Sequence, residues 1–218
     1  MYDKIFVIGF NKTATTTIHK LFIKNNLTSQ HNGNSWDLDS YQCFSDNGNL
    51  TNFQELDKKY PNSIFILNTR KLNKWIISRF KHGLRQSENK NRPTNWAWPC
   101  TTELATTWIN DRENYYLNVL EYFKNRPHKL IIVSIEKSDW TQFITSQLNL
   151  QNYDFEPRNV IELTNQHDNI IDCVNQTFNI LNYTDDEKEN ILFKNKKTTR
   201  NYIKLYKNNI KNNNPIKP

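Results

Sequence analysis

Residues Gly9 to Thr17, reading Gly-Phe-Asn-Lys-Thr-Ala-Thr-Thr-Thr, follow directly on the apolar run Ile5-Phe6-Val7-Ile8 and lead into a stretch of helical periodicity. A strand that feeds a helix through a short loop is the opening of an alternating α/β chain, and such alternation builds a parallel sheet with right-handed crossovers. The loop places Lys12 and the hydroxyls of Thr13, Thr15, Thr16 and Thr17 at a helix N-terminus. There, unpaired backbone N–H groups and the positive end of the dipole attract anions, so the segment reads as a cradle for phosphate or sulfate. The plainer alternative is a turn whose threonines cap the helix.

A second segment has the same logic. Ser63-Ile64-Phe65-Ile66-Leu67-Asn68 is an apolar, β-branched and aromatic run after a Pro-Asn turn, as expected of a buried parallel strand. It ends in Thr69-Arg70, and a helix follows on Leu72, Trp75, Ile76 and Arg79. Arg70 therefore stands at the carboxyl end of a strand, where open α/β sheets bind ligands. Ser78 falls beside the apolar stripe of the following helix and is free to face a crevice. An arginine fork with a hydroxyl suits a terminal phosphomonoester.

The lysine precedes the hydroxyls, unlike the GxxxxGK[ST] loop of nucleoside triphosphatases. The order Lys12-Thr13-Ala14-Thr15-Thr16 instead resembles the 5′-phosphosulfate loop of sulfotransferases, usually written Lys-Thr-Gly-Thr-Thr, with Ala14 in place of glycine. Ala14 keeps a small side chain and is expected to hold ordinary dihedrals. Arg70 and Ser78 resemble that family's pair for the 3′-phosphate of 3′-phosphoadenosine 5′-phosphosulfate (PAPS). The resemblance extends through Tyr60-Pro61, Trp75 and a late strand at Leu130 to Val133, and fades in the last third. It implies a P-loop-type three-layer α/β/α fold around a central parallel sheet, PAPS as sulfonate donor and adenosine 3′,5′-bisphosphate as product. It also implies a small-molecule or glycan hydroxyl acceptor, and a cofactor site of Lys12, Thr13, Ala14, Thr15, Thr16, Thr17, Arg70 and Ser78. Family members place a histidine or glutamate base at the end of the strand after the first helix, where His31 stands; Asp37, Asp39 and Asp46 are its rivals. Lys12 is the residue expected to neutralise the leaving phosphate, so no metal is required.

The remaining composition sets bounds. A chain of 218 residues fits one domain, here 1–218 with a basic helical tail from about 185. A formal charge of +7 favours an anionic ligand, and the basic residues of the tail read as a solvated face or as an extra reach to the 3′-phosphate. Cys43, Cys100 and Cys173 form no disulfide framework, and buried free thiols in a reducing compartment are expected. No apolar run approaches the roughly 18 residues of a membrane span. Met1 leads straight into a core strand, so the expectation is a soluble cytoplasmic protein. Asparagine is plentiful throughout, and single asparagines are read as background. Trp36, Trp96 and Trp98 could stack on an acceptor ring or belong to the core.

The expected order is strand 4–8, helix 15–26, a short strand near 27–30, an irregular stretch to 52, helix 53–59, strand 63–68 and helix 71–82. A loop from 85 to 100, helix 101–124, strand 130–135 and helices 139–148, 169–181 and 185–209 complete it. Two other functions remain open. A P-loop kinase would share the strand-loop-helix unit, but the sequence has neither the Gly-Lys-Ser/Thr ending nor an apolar strand ending in a magnesium-binding aspartate. A non-catalytic nucleotide or nucleic-acid binder would use the basic tail, although nucleic acid is not the favoured partner.

Overall fold

The computed structural model describes residues 2–31, 35–88, 99–155 and 165–212. Its elements run β1 (Ile5–Val7), α1 (Thr15–Lys24), β2 (Ser29–His31), β3 (Cys43–Ser45), α2 (Phe53–Lys59), β4 (Ile64–Thr69), α3 (Leu72–Ser87), α4 (Thr102–Phe123), β5 (Leu130–Ser134), α5 (Trp140–Leu148), α6 (Asn165–Ile180), α7 (Asp185–Lys188) and α8 (Lys196–Asn212). The chain divides into two compact units, one of Met1–Arg70, Leu117–Phe155 and Arg200–Pro218, the other of Lys71–Tyr116 and Glu156–Thr199.

The first unit holds the whole sheet, which is entirely parallel in the order β2-β3-β1-β4-β5. Side-chain alternation sorts the strands into two buried faces. Ile5, Val7, Ile64, Ile66, Ile131 and Val133 meet Ile18, Leu21 and Phe22 of α1 and Ile144 and Leu148 of α5. On the opposite face Phe6 stacks on Phe44 and on Phe65, both with centroids 5.3 Å away, and Phe65 continues to Phe123 at 5.0 Å. Each phenylalanine buried this way contributes about 1.5–3 kcal/mol, so this face of the sheet builds its core from rings where the other uses aliphatic side chains. Trp36 belongs to this array, 5.7 Å from Phe6 with nearly parallel rings and 5.2 Å from Phe44. Trp96 and Trp98 lie outside the described residues.

At the amino-terminal edge of the sheet the buried Asp57 carboxylate accepts hydrogen bonds from Arg126 at 2.5 Å, Tyr122 at 2.9 Å and the Lys129 ammonium. Lys129 also donates to the Pro61 carbonyl at 2.8 Å, so α2, α4 and the entry to β5 are tied beneath the strands.

The second unit is helical. Trp108 of α4 packs on Phe80 of α3 at 4.6 Å, and the Arg79 guanidinium lies 4.3 Å above the Trp108 ring. The single helix expected over 185–209 is two. Thr184 and Glu187 do form the capping box, but α7 ends after one turn. The Ile191 carbonyl accepts from Arg112 at 2.7 Å and the Phe193 N–H donates to the Thr199 hydroxyl at 3.2 Å, which draws Leu192 and Phe193 inward before α8 begins. Tertiary burial here overrides local helix propensity. Other boundaries also differ: α3 continues to Ser87, α6 begins at Asn165, and the stretch expected to be irregular before residue 52 contains β3. All three cysteines are free, with Cys43 buried and Cys100 and Cys173 half-buried. No helix among the described residues is long and apolar enough to cross a membrane.

Candidate active site

Strand order decides where a site can form. β2 and β3 lie on one side of β1, and β4 and β5 on the other, so the connections that leave the carboxyl ends of the neighbours β1 and β4 run in opposite directions, to β2 and to β5. Such a switch point leaves a crevice outside the strand ends. Three loops meet there, following β1, β3 and β4.

The loop after β1 is anchored by Asn68, which follows the four apolar residues that open strand β4. Its side-chain carbonyl accepts the Gly9 N–H at 3.0 Å, and its amide donates to the Thr13 carbonyl at 2.8 Å and the Thr13 hydroxyl at 2.6 Å. Gly9 is pressed so closely on Asn68 that a Cβ would lie 2.2 Å from the Asn68 carbonyl oxygen. Arg70, directly beyond β4, donates to the Lys12 carbonyl at 3.4 Å and pairs with Glu136 at 3.3 Å, so the guanidinium is held between the loops that follow β1 and β5.

Within the loop, Lys12 and Ala14 both have left-handed backbone, at φ 65° and 63°. Ala14 therefore departs from the ordinary dihedrals expected of it, because the turn into α1 requires this conformation whichever residue stands there. Left-handed residues at a helix entrance are the backbone pattern of an anion nest. The threonines divide by task. The Thr13 hydroxyl is buried and donates inward to the Phe10 carbonyl, so it serves the loop itself. Thr15 donates to Asp46 at 3.3 Å; Thr16, which is exposed, lies 3.1 Å from His31 Nε2; Thr17 donates its N–H to the Ala14 carbonyl.

His31 ends β2 and joins this group. Its Nδ1 lies 3.0 Å from the Ser45 hydroxyl and its ring stacks on that of His19, with centroids 5.2 Å apart. His19 in turn bonds Ser29 at 2.9 Å. Burial pushes the His31 imidazole below its usual value; Asp46 and a hydrogen bond donated by the ring to the Ser45 backbone work against that, and Lys12 adds to it. The result favours the neutral, proton-accepting ring at pH 7. His19 is lowered as well, by burial and then by the charges of His31 and Lys20. Of the rival carboxylates, Asp46 faces the site, whereas exposed Asp37 accepts the N–H groups of Asp39 and Ser40 within its own turn.

Lys12, Thr15, Thr16, His31 and Arg70 are thus gathered at one edge of the sheet. Ser78 is half-buried on α3, in the second unit. Sequence reasoning missed Asn68, Glu136 and His19; the signal for Asn68 was an amide inside an apolar strand.

A family model described as the sulfotransferase domain matches residues 23–130. The match takes in His31, Asp46, Arg70 and Ser78 and begins beyond the loop that carries Lys12. No curated protein matches the chain. Residues 23–130 are thus similar to the sulfotransferase domain, and the all-parallel sheet flanked by helices is consistent with a sulfotransferase-like fold.

Proposed function

We propose that this chain transfers a sulfonate group from PAPS to the hydroxyl of a small-molecule or glycan acceptor. The observation that carries the reading is the convergence of a lysine-bearing nest, an arginine and an imidazole at the carboxyl ends of strands of one parallel sheet. The donor set fits a doubly anionic nucleotide. A nest at a helix N-terminus with Lys12 suits a 5′-phosphosulfate, and Arg70, braced by Glu136, suits a 3′-phosphate. Ser78 enters the proposal from the sequence resemblance alone.

When bound, PAPS supplies an activated sulfur whose leaving group is a phosphate. His31 Nε2 takes the proton of the acceptor hydroxyl, and the freed oxygen electron pair bonds to sulfur as the bond from sulfur to the 5′-phosphate oxygen breaks. Lys12 balances the charge that gathers on the departing bisphosphate, a task of positioning and electrostatics like that of phosphoryl transfer.

Thermal shift with adenosine 3′,5′-bisphosphate against ATP and AMP tests the donor. Ligand at 100 times its dissociation constant should stabilise by about 2.7 kcal/mol. The bisphosphate is expected to stabilise selectively, with the gain lost in Lys12→Ala and Arg70→Ala; equal stabilisation by ATP would refute the assignment. His31→Ala should keep this binding while transfer falls by about 10²-fold or more.

A further inference from the structure

The turn after β3, Ser45-Asp46-Asn47-Gly48, is built under unusual constraint. Asp46 and Asn47 are consecutive left-handed residues, at φ 67° and 57°. Gly48 is seated against the end of β1, where a Cβ would lie 2.1 Å from the Val7 carbonyl oxygen. Left-handed non-glycine backbone persists only where surrounding contacts impose it, and it concentrates at functional sites. Here Ser45 meets the His31 imidazole directly, and the Asp46 carboxylate accepts from Thr15, next to the Thr16 hydroxyl that the same ring meets.

We propose that this turn is the positioning device for the base: Ser45 fixes which ring nitrogen of His31 carries hydrogen, and Asp46 holds the imidazolium that forms when Nε2 takes the acceptor's proton. The proposal rests on the reading of His31 as the base. Ser45 closes β3 directly beside His31 in the ladder and meets Nδ1 with its hydroxyl at 3.0 Å. A Ser45 oxygen that accepts from Nδ1 places the ring hydrogen there, and a hydrogen bond to the Ser45 backbone acts in the same sense by favouring the protonated ring. Nε2 is left with its lone pair toward Thr16 Oγ1, 3.1 Å away at the mouth of the nest.

The charged and titratable groups facing the ring come from three elements. Lys12, in the loop after β1, opposes a second positive charge. His19 of α1, with Lys20 beside it, covers one face. Asp46 is the group among them that favours protonation. Its carboxylate is steadied by the Thr15 hydroxyl at 3.3 Å, so the same helix entrance that forms the nest also orients the counter-charge. A carboxylate beside an anion cradle weakens anion binding, and balancing a transient imidazolium is the use for it that this geometry supports.

Asp46→Asn tests this, because asparagine tolerates left-handed backbone and keeps the turn. Two measurements are paired: the midpoint of the His31 Cε1–H proton resonance against pH, and the pH dependence of PAPS hydrolysis with water as acceptor. Removing the carboxylate should move the His31 midpoint to lower pH. The acid limb of the rate profile, where the base becomes protonated, should move the same way, and the plateau rate should fall by about tenfold or more. A midpoint that stays in place overturns the pairing. A plateau that falls with no movement of the limb reduces Asp46 to a structural part and overturns its role in the reaction. If the midpoint moves while the rate ignores it, the role is overturned and His31 is removed as the base. Failure of the donor reading is seen separately, as absent stabilisation by the bisphosphate with the midpoint shift intact.

Discussion

Replacing Asn68 with alanine probes how the anion loop is held. The side chain is fully buried and makes three hydrogen bonds, one from Gly9 and two to Thr13, between 2.6 and 3.0 Å. Truncation strips the Gly9 N–H and the Thr13 carbonyl of these partners, and each buried polar group left so costs about 1–3 kcal/mol. The Thr13 hydroxyl keeps its bond to Phe10 and adds little. The sum is about 2–6 kcal/mol, before any cavity term. Against a domain stability of about 5–15 kcal/mol, that leaves a marginal fold. Urea unfolding followed by tryptophan fluorescence should show a lower midpoint at unchanged slope. A double-mutant cycle with Thr13→Val should show coupling of about 0.5–3 kcal/mol. A loss below about 1 kcal/mol in Asn68→Ala, or strict additivity in the cycle, would mean the loop is held by something else.

Two further outcomes concern stability. Left-handed backbone costs an L-residue about 1–2 kcal/mol, while glycine adds about 0.4–1 kcal/mol of freedom to the unfolded chain; Ala14→Gly should therefore raise stability by roughly 0.5–1 kcal/mol, and a fall in melting temperature would contradict the strain. Asp57→Asn should cost about 3–5 kcal/mol at neutral pH by leaving Lys129 and Arg126 uncompensated. Burial works to raise the Asp57 carboxyl, but hydrogen bonds from Lys129, Arg126 and Tyr122 outweigh it and hold it below its usual value. A lowered folded value means the contribution is complete above the unfolded carboxyl value, near about pH 4, and fades as pH falls through the folded one. The gap between wild type and Asp57→Asn should close in that acid range, and a constant gap down to pH 2 would exclude the mechanism.

The parts of the site carried by local pattern were legible in the sequence. An apolar run into a lysine–threonine loop, and a second run ending in Arg70, are visible because a buried parallel strand is a nearly continuous hydrophobic segment. β3 was not, since Cys43-Phe44-Ser45 is too short for periodicity and sits among turn-forming residues. Asn68 was hidden by abundance, being one of many asparagines. Asp46 could not be told from Asp37 because the difference lies in which strand the loop rejoins. The break between α7 and α8 was invisible because the partners of Ile191 and Phe193 include residues distant in sequence.

Among the described residues no glycine has a left-handed backbone; Asn26, Asp46, Asn47, Asn149 and Asn182 occupy those positions, together with Lys12 and Ala14. Gly9 and Gly48 are kept instead where a side chain would collide with main chain. Two duties that one residue type usually shares are thereby separated, bending given to asparagine and aspartate and clearance to glycine. Each bend reaches the folded state with fewer alternatives to abandon, since these residues roam less than glycine before folding. Tolerance is inverted as a result: the bends can accept glycine, while the two clearance glycines, which look the most dispensable in a chain holding only four, can accept nothing.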